Sequence, residues 1–461
     1  MFTKQTYISR RDILKKSVGT GILLFFGNEE SPINYRDNQY SFRQDSTFLY
    51  YFGFEKNASL AAVIDIDNNI EIVFGDELTI DDIVWTGKLP TLKEQAFNVG
   101  ISRVQSLCDL SGYLKKEGAL NRKIHFLPQY RNENVIKIWE MLGIPAAEQE
   151  SAKSLDFVRA VVNMRNYKSE EEIEEIDKAA KISMEMHLTA IRTAKAGMKE
   201  CEVMAEIHAA AHRAGAELSF PIICTVHGET LHNHHYTNEL KEGGMLLVDA
   251  GAELPSGYCG DISSTIPVGK HFDTRQRAIY EIVYKSHRAA VEALKPGVPF
   301  KEVYYLACKT IFEGLKTLGL TRGDSDEAVH AGANALFFQC GLGHMMGLDV
   351  HDMENLGEVW VGYDGEPKST QFGIKSLRLA RRLEPGFVLT IEPGIYFIPS
   401  LIEMWSAEKR FNEYINYPEV EKWRNLGGIR NEEDYLITET GHKLLGNPVS
   451  KEILNVEKMR Q

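Results

Sequence analysis

The sequence predicts an α+β protein of two domains, and three observations support this. The chain has 461 residues, more than a single compact core usually holds. Over the first third, short apolar strands alternate with helical patterns, which is typical of an α/β domain. Near Asn166 the pattern changes to long amphipathic helices with separate strands. We therefore place the boundary at residue 165 and expect domains at 1–165 and 166–461.

The N-terminal elements follow from runs of apolar residues. Residues 21–27 are expected to form a short buried strand after a helix that contains residues 10–16. The pair Arg10 and Arg11, followed by this apolar run, imitates a twin-arginine export signal. No small-residue cleavage site follows, so we expect the segment to belong to the fold. Further strands are predicted at 60–66, 70–74 and 123–127, and a helix at 132–142.

The second domain begins with a predicted capping box, in which Ser169 and Glu172 start a long helix. Helices are expected at 202–214 and 274–294, and strands at 245–250, 387–392 and 429–437. Residues 401–425 look like a mostly helical insertion that either covers a site or decorates the surface.

Composition excludes several classes of protein. There is no run of eighteen or more apolar residues, which argues against a membrane span. Lys and Arg number 52 against 65 Asp and Glu, and the net charge of −13 argues against nucleic acid as a partner. The six cysteines form no CxxC pair, as expected of reduced thiols, and a cytoplasmic location fits best.

Two aspartates stand where a carboxylate needs a partner. Asp249 ends an apolar strand, and a buried charge there needs a cation or strong hydrogen bonds. Asp261 follows the turn-forming sequence at 255–257, so a hairpin could bring the two aspartates together. Two carboxylates that close repel each other unless a metal lies between them.

Three further candidates lie downstream, namely His344 in a glycine-rich segment, Glu392 before Pro393, and Glu432. Such an oxygen-rich set with one imidazole suits a pair of divalent ions better than a structural zinc site. Manganese is the expected metal, with cobalt and zinc as the other candidates. Taken singly, each residue could also be a cap, a turn residue or a salt-bridge partner.

The segments around these five residues, in this order, resemble the metal-ligand signature of the aminopeptidase P, prolidase and methionine aminopeptidase superfamily. Residues 40–54 resemble the N-terminal segment of the proline-specific branch. The resemblance implies a creatinase-type α/β N-terminal domain followed by a pita-bread metallopeptidase catalytic domain.

The resemblance also implies roles for individual residues. Asp249, Asp261, His344, Glu392 and Glu432 match the family's metal ligands, and Arg430 matches a site arginine. His235 and His351 match residues that contact the substrate and stabilise the reaction centre, whereas His232 and His234 are expected to be loop residues. Arg378 either holds a substrate carboxylate, as in prolidases, or forms a surface salt bridge. Tyr396 either lines the pocket or is simply packed.

The implied function is that of an Xaa-Pro aminopeptidase acting on proline-containing peptides. Two metal ions bridged by Asp261 and Glu432 would activate a shared water, and the resulting hydroxide would attack the carbonyl before proline. Glu392 would also shuttle the proton. The alternatives are an Xaa-Pro dipeptidase, or prolidase, and a non-catalytic binding module. Family members commonly form homodimers or higher oligomers.

Three departures from the family pattern are visible. Cys340 stands where many relatives have a histidine before the glycine-rich motif. Relatives often carry Thr-Arg-Thr after the second aspartate, whereas Ser263, Ser264 and Thr265 lack the arginine. The two aspartates are also one residue further apart than usual, and we expect the turn at 255–257 to absorb the extra residue.

Overall fold

The structure is a computed structural model that describes residues 2–461, and the chain divides into two compact units. The first unit holds the residues up to Arg165 together with Met353–Trp360. The second holds Asn166–Asp352 and Val361–Gln461. Every helix within residues 2–461 is too short or too polar to span a bilayer.

The elements before residue 167 are eight helices and seven strands. The helices are α1 Lys4–Val18, α2 Ser46–Phe52, α3 Ile80–Thr86, α4 Leu92–Asn98, α5 Asp109–Ala119, α6 Asn132–Leu142, α7 Ala146–Ala152 and α8 Leu155–Asn166. The strands are β1 Ile22–Phe26, β2 Pro32–Tyr35, β3 Asn38–Gln39, β4 Ala61–Asp65, β5 Ile70–Phe74, β6 Arg103–Gln105 and β7 Ile124–His125.

Five of these strands form one mixed sheet in the order β6-β5-β4-β1-β7. Strand β1, which pairs with β4 and β7, is buried along its whole length, which confirms the strand predicted at 21–27. Side chains alternate across a strand. Accordingly, Leu24 and Phe26 join an apolar cluster on one face, while the ring of Phe25 packs against Phe52 and Phe157 on the other.

Helix α1 contains residues 10–16, as predicted, and it begins at Lys4 because Thr3 caps it, its side chain accepting from the amide of Thr6. The two arginines of this helix are buried. Arg11 donates to the carbonyls of Tyr51 at 2.9 Å and Val99 at 2.7 Å and to the carboxylate of Glu71. The segment therefore belongs to the fold, as the sequence predicted.

The remaining helices and strands follow residue 167. The helices are α9 Glu170–Thr193, α10 Glu200–Arg213, α11 Thr274–Ala293, α12 Phe300–Thr317, α13 Ser325–Ala331, α14 Glu358–Val361, α15 Pro399–Ala407, α16 Tyr417–Val420 and α17 Ile453–Met459. The strands are β8 Glu217–Leu218, β9 Ile223–Thr225, β10 Met245–Ala250, β11 Ala252–Glu253, β12 Ile262–Pro267, β13 Val388–Ile391, β14 Gly394–Tyr396, β15 Gly428–Arg430, β16 Glu433–Ile437 and β17 His442–Leu444.

Two helix pairs and several small sheets build the second unit. Helix α9 packs against α10, and α11 packs against α12. The capping box of Ser169 and Glu172 is present at the start of α9, as predicted. The sheets have the orders β12-β10-β9, β13-β16-β17, β14-β15 and β11-β8.

The predicted hairpin between the two aspartates is present. Strands β10 and β12 pair antiparallel with Asp249 opposite Ser263. The turn between them is closed by a 2.7 Å hydrogen bond from the amide of Gly257 to the carbonyl of Leu254. Gly257 has φ 87°, a left-handed conformation that glycine adopts without strain.

One prediction in this unit needs correction. The strand expected at 429–437 is two strands in different sheets, β15 and β16. The chain changes partner between them because the amide of Asn431 donates to the carbonyl of Pro393, and the amide of Glu432 to that of Ser263.

The segment 401–425 is mostly helical, as predicted. Its helical residues lie in α15 and in the turns from Tyr417 to Trp423, and a non-helical stretch separates them.

Candidate metal centre

The five predicted ligands come from separate elements of the second unit. Asp249 lies on β10, Asp261 directly precedes β12, Glu392 follows β13, and Glu432 occupies the break between β15 and β16. The loop of His344 is fastened to β13, where the amide of His344 donates to Thr390 Oγ1 at 3.2 Å. A Cβ at Gly343 would lie 2.0 Å from the carbonyl oxygen of Thr390, so only glycine permits this approach.

Four of the five side chains converge on one point. The Nε2 atom of His344 lies 3.3 Å from Asp261 Oδ2 and 3.9 Å from Glu392 Oε1. One ligand atom each from Asp261, His344 and Glu432 lies within 4.8 Å of the other two. His344 Nδ1 is 3.1 Å from the carbonyl of Met345, an arrangement that places the proton on Nδ1 and turns the lone pair of Nε2 toward the carboxylates.

The carboxylates are buried and close enough to oppose one another's charge. Burial raises the pKa of Asp261 well above its usual value, and the charges of Glu432 and Asp249 raise it further. Burial and the charges of Glu392 and Asp249 likewise raise the pKa of Glu432. Burial raises the pKa of Glu392 to about 7 although the cation of Arg430 opposes the shift. A cation placed among them would remove this repulsion.

Two buried oxygens indicate where a cation fits. The Oδ1 atoms of Asp249 and Asp261 are buried and have no hydrogen-bond partner within residues 2–461. A buried carboxylate oxygen without a donor is costly, whereas the same oxygen is a normal ligand for a divalent ion. The donor set and these open oxygens therefore fit divalent metal ions.

Arg430 connects the ligands to the wall of the site. Its guanidinium donates to Asp249 Oδ2 at 2.6 Å, to Ser263 Oγ at 2.9 Å and to the hydroxyl of Tyr396 at 2.9 Å. Ser263 Oγ in turn donates to Glu432 Oε2 at 2.7 Å. Arg430 and Glu432 thus meet at Ser263, whereas Glu433 faces away toward Tyr435.

Cys340 places a neutral thiol beside the site. Its Sγ atom lies 3.8 Å from the Tyr396 hydroxyl, and burial raises the pKa of the thiol to about 12. The thiol is therefore neutral at physiological pH. Tyr396 is fully buried beneath Arg430.

Two further predicted residues lie beside the ligands. The ring of His351 lies edge-on to that of His344, with centroids 4.4 Å apart and planes at 73°. Arg378 is half-buried, and its cation acts on Glu392, lowering the pKa of that carboxyl against the larger effect of burial.

The segment 226–238, here called the histidine loop, carries the predicted residue His235. His235 is exposed, and its amide donates to Asn233 Oδ1 at 3.0 Å. His232, which we expected to be only a loop residue, is exposed as well, and partial desolvation of its ring and the charge of Arg430 lower its pKa. Nothing in the sequence distinguishes it from the neighbouring histidines.

Three supporting residues were not anticipated from the sequence. Asp434 is fully buried, and its Oδ2 accepts from the amide of Asp261 at 3.1 Å. Lys451 reaches the hairpin from the C-terminal segment. Glu200 binds both ends of the histidine loop. Each acts through contacts between residues far apart in the chain, so local patterns do not reveal them.

A buried cluster of carboxylates and one imidazole, in an α+β domain that follows an α/β domain, is a donor set for divalent metal ions. Residues 174–439 match the model for metallopeptidase family M24, and residues 7–125 match the aminopeptidase P N-terminal domain. The chain belongs to metallopeptidase family M24, so its site is one for divalent metal ions.

Individual relatives of this chain are peptidases that act on Xaa-Pro bonds, as their names state. The Xaa-Pro aminopeptidase of Escherichia coli (strain K12) is 30% identical over 469 residues, covering 99% of this chain and 97% of the relative. The Xaa-Pro dipeptidase of Homo sapiens is 31% identical over 437 residues, covering 92% and 85%. Zinc-substituted E. coli aminopeptidase P in complex with product superposes with a TM-score of 0.82, at 28% identity and 100% and 98% coverage.

Proposed function

We propose that this chain is an Xaa-Pro aminopeptidase that hydrolyses the bond before proline at a peptide's N-terminus. The observation that carries the proposal is the convergence of Asp261, His344 and Glu432 within the aminopeptidase P fold. The domain of residues 166–461 contributes every proposed ligand, and residues 1–165 form the accompanying N-terminal domain.

Two divalent ions fit the donor set. Asp261, His344 and Glu432, together with Glu392 and Asp249, are the residues that would hold them. When bound, such ions polarise a carbonyl and lower the pKa of water until hydroxide is available near neutral pH. Manganese is the ion we propose, because four carboxylates and one imidazole suit it or cobalt better than zinc.

The remaining residues bind and orient the peptide. The side chain of Glu392 is 19% exposed, more than those of Asp261 and Asp249, and Glu392 is the group placed to accept a proton and return it to the leaving nitrogen. His351 and the histidine loop would donate to the carbonyl oxygen as negative charge develops. Arg430 holds Asp249 and Ser263 in place during these steps.

A prolyl nitrogen carries no hydrogen and the ring fixes φ, so a peptidase that relies on an amide N–H handles this bond poorly. Efficient hydrolysis of this bond therefore requires a pocket that binds the proline ring itself. The runner-up is an Xaa-Pro dipeptidase, which Arg378 favours because a planar guanidinium binds a free carboxylate bidentately. We place the aminopeptidase first because the similarity to the E. coli enzyme spans nearly the whole of both chains.

We also propose a homodimer or higher homo-oligomer in the cytoplasm. Helix α3 supports self-association, since Ile80, Val84 and Trp85 are all largely exposed and a second copy would cover them. The six free cysteines suit a reducing compartment.

The test is turnover by the manganese-loaded enzyme of an Xaa-Pro dipeptide beside a longer Xaa-Pro-Xaa peptide. Cleavage of the longer peptide supports the aminopeptidase, and cleavage of the dipeptide alone supports the dipeptidase. Asp261→Asn should abolish both metal binding and turnover, whereas Asp364→Asn, on an exposed turn, should change neither. Absence of cleavage in the wild type, or full activity of Asp261→Asn, would refute the proposal and favour a binding module.

A further inference from the structure

Lys451 is a buried cation that lies beyond the residues matched by the family model, which end at 439. Its ammonium donates to the carbonyl of Ser263 at 2.7 Å and to Ser264 Oγ at 2.9 Å. Both acceptors are neutral. A buried ammonium is costly unless negative charge lies nearby, so its position requires an explanation.

Ser263, which Lys451 contacts, is the residue that orients Glu432. Its carbonyl accepts the amide of Glu432 at 3.1 Å as well as the ammonium. Its hydroxyl donates to Glu432 Oε2 at 2.7 Å and accepts from Arg430 Nε at 2.9 Å. A shift of Ser263 would therefore displace a proposed bridging ligand and the site arginine together.

The charge of Lys451 is compensated by the carboxylates of the same region. Burial lowers the pKa of Lys451, while the charges of Glu433 and Glu432, and then of Asp249 and Asp434, raise it. The lysine and the carboxylates consequently stabilise one another across the hairpin. Because Ser264 Oγ accepts from the ammonium of Lys451, a cation introduced at position 264 would lie close to the place that Lys451 occupies.

The segment that carries Lys451 is fixed to the domain. Glu457 on α17 accepts from the amide of Phe272 at 3.0 Å and from Arg277 at 2.6 Å. Arg460 donates to the carbonyls of Val268 at 2.6 Å and Ala194 at 2.5 Å. The segment that follows Lys451 is thus anchored to the domain by these hydrogen bonds, and they hold Lys451 beside the hairpin.

We propose that Lys451 is a positioning residue of the metal centre. It fixes Ser263, and through Ser263 the carboxylate of Glu432 and the guanidinium of Arg430, and it supplies a buried cation beside the carboxylates. The inference rests on the proposed function for its catalytic readout, but metal binding tests it independently.

The experiment compares Lys451→Met, Lys451→Arg and the double variant Ser264→Arg/Lys451→Met with the wild type, and uses the exposed Lys458→Met as the matched control. Co²⁺ is titrated into each metal-free protein and followed by its visible absorption. Loss of a group that orients a ligand weakens metal binding by about 10–100-fold. We expect a loss in this range for Lys451→Met, a kcat lower by about tenfold with KM within about twofold, and no change in Lys458→Met.

The double variant separates positioning from packing. If Lys451 positions the hairpin, Ser264→Arg should restore Co²⁺ affinity and kcat to Lys451→Met, and Lys451→Arg should retain most of both. Wild-type Co²⁺ affinity in Lys451→Met would overturn the proposal. So would a variant that loses only thermal stability and is not restored by Ser264→Arg. A wild type that binds Co²⁺ but cleaves no Xaa-Pro peptide would refute the proposed function, while the Co²⁺ titrations would still decide the role of Lys451.

Discussion

The guanidinium of Arg430 donates to Oδ2 of Asp249 at 2.6 Å, while Oδ1 of the same carboxylate has no hydrogen-bond partner within residues 2–461. One oxygen of Asp249 is therefore held by a fixed cation, and the other is open to a ligand. The guanidinium also donates to Ser263 and Tyr396, and these two contacts fix its position. The orientation of Asp249 is therefore set by Arg430.

Replacing Arg430 with lysine should leave the carboxylate of Asp249 without a fixed orientation. A lysine keeps the charge but cannot donate in three directions from one plane. Losing a hydrogen bond to a charged group costs about 1.5–3 kcal/mol, so we expect kcat/KM to fall by about 10–100-fold. Steady-state kinetics of the manganese-loaded enzyme measure this. Arg288→Lys, at a half-exposed arginine, is the control, and unchanged kcat/KM in Arg430→Lys would show that Arg430 does not set the geometry.

The predictions from sequence were best where one local pattern determined the outcome. The capping box at Ser169 predicted the start of α9, and the apolar run at 21–27 predicted the buried strand β1 of the first sheet. The turn residues at 255–257 predicted the hairpin that brings Asp249 and Asp261 together. In each case the neighbouring residues alone supply the physical cause.

The remaining features depend on contacts between distant residues. The break between Arg430 and Glu433 arises because Glu432 bonds to Ser263, which no pattern within 429–437 reveals. The roles of Lys451 and Glu200 depend on the same kind of contact. The role of His235 was assigned through the family resemblance and stays a prediction, and the charge of Arg430 also acts on the neighbouring His232.

Arg378 should govern the preference for peptide length. Its cation lies close enough to affect Glu392, so a free carboxylate on proline could reach it in the same pocket. A hydrogen bond between charged groups contributes about 1.5–3 kcal/mol. We expect Arg378→Ala to lower kcat/KM for an Xaa-Pro dipeptide by about 10–100-fold and to change that for a longer peptide ending in an amide much less. Equal losses for both substrates would contradict this role, and Arg382→Ala, at an arginine on the surface, serves as control.

The N-terminal unit should lose stability in acid through Asp65. This buried carboxylate accepts from Asn68 and Arg122, and although burial opposes ionisation, these hydrogen bonds lower its pKa to about 2. A depressed folded pKa stabilises the protein above the unfolded value of 3.8 and ceases to do so as pH falls through 2. Asp65→Asn should therefore cost about 2 kcal/mol at pH 7, with the difference from wild type shrinking below about pH 4.

Amide hydrogen exchange of β4 and β5 measures this free energy within the unit itself. Asp37→Asn, at an exposed aspartate of the same unit, provides the control and should behave as the wild type at every pH. A difference between Asp65→Asn and wild type that stays constant from pH 7 to pH 3 would show that the ionisation of Asp65 is not its source.

Glu200 should determine the order of the loop that carries the histidines. Its carboxylate is fully buried, with Oε1 accepting from the amide of Val226 at 2.8 Å and Oε2 from the amide of Asn238 at 3.0 Å. Both ends of the segment 226–238 are therefore tied to the start of α10.

The variant Glu200→Gln keeps the shape of the side chain but turns an NH₂ group toward an amide donor. The loss of hydrogen bonds to a charged group costs about 1.5–3 kcal/mol. We expect faster amide exchange across 226–238 and a kcat lower by about tenfold, with metal affinity unchanged because no ligand lies in this loop. Glu206→Gln, at an exposed glutamate of α10, should match the wild type in all three measurements. Wild-type exchange rates in Glu200→Gln would show that the loop is ordered by other contacts, such as the hydrogen bond from Asn233 to Thr225.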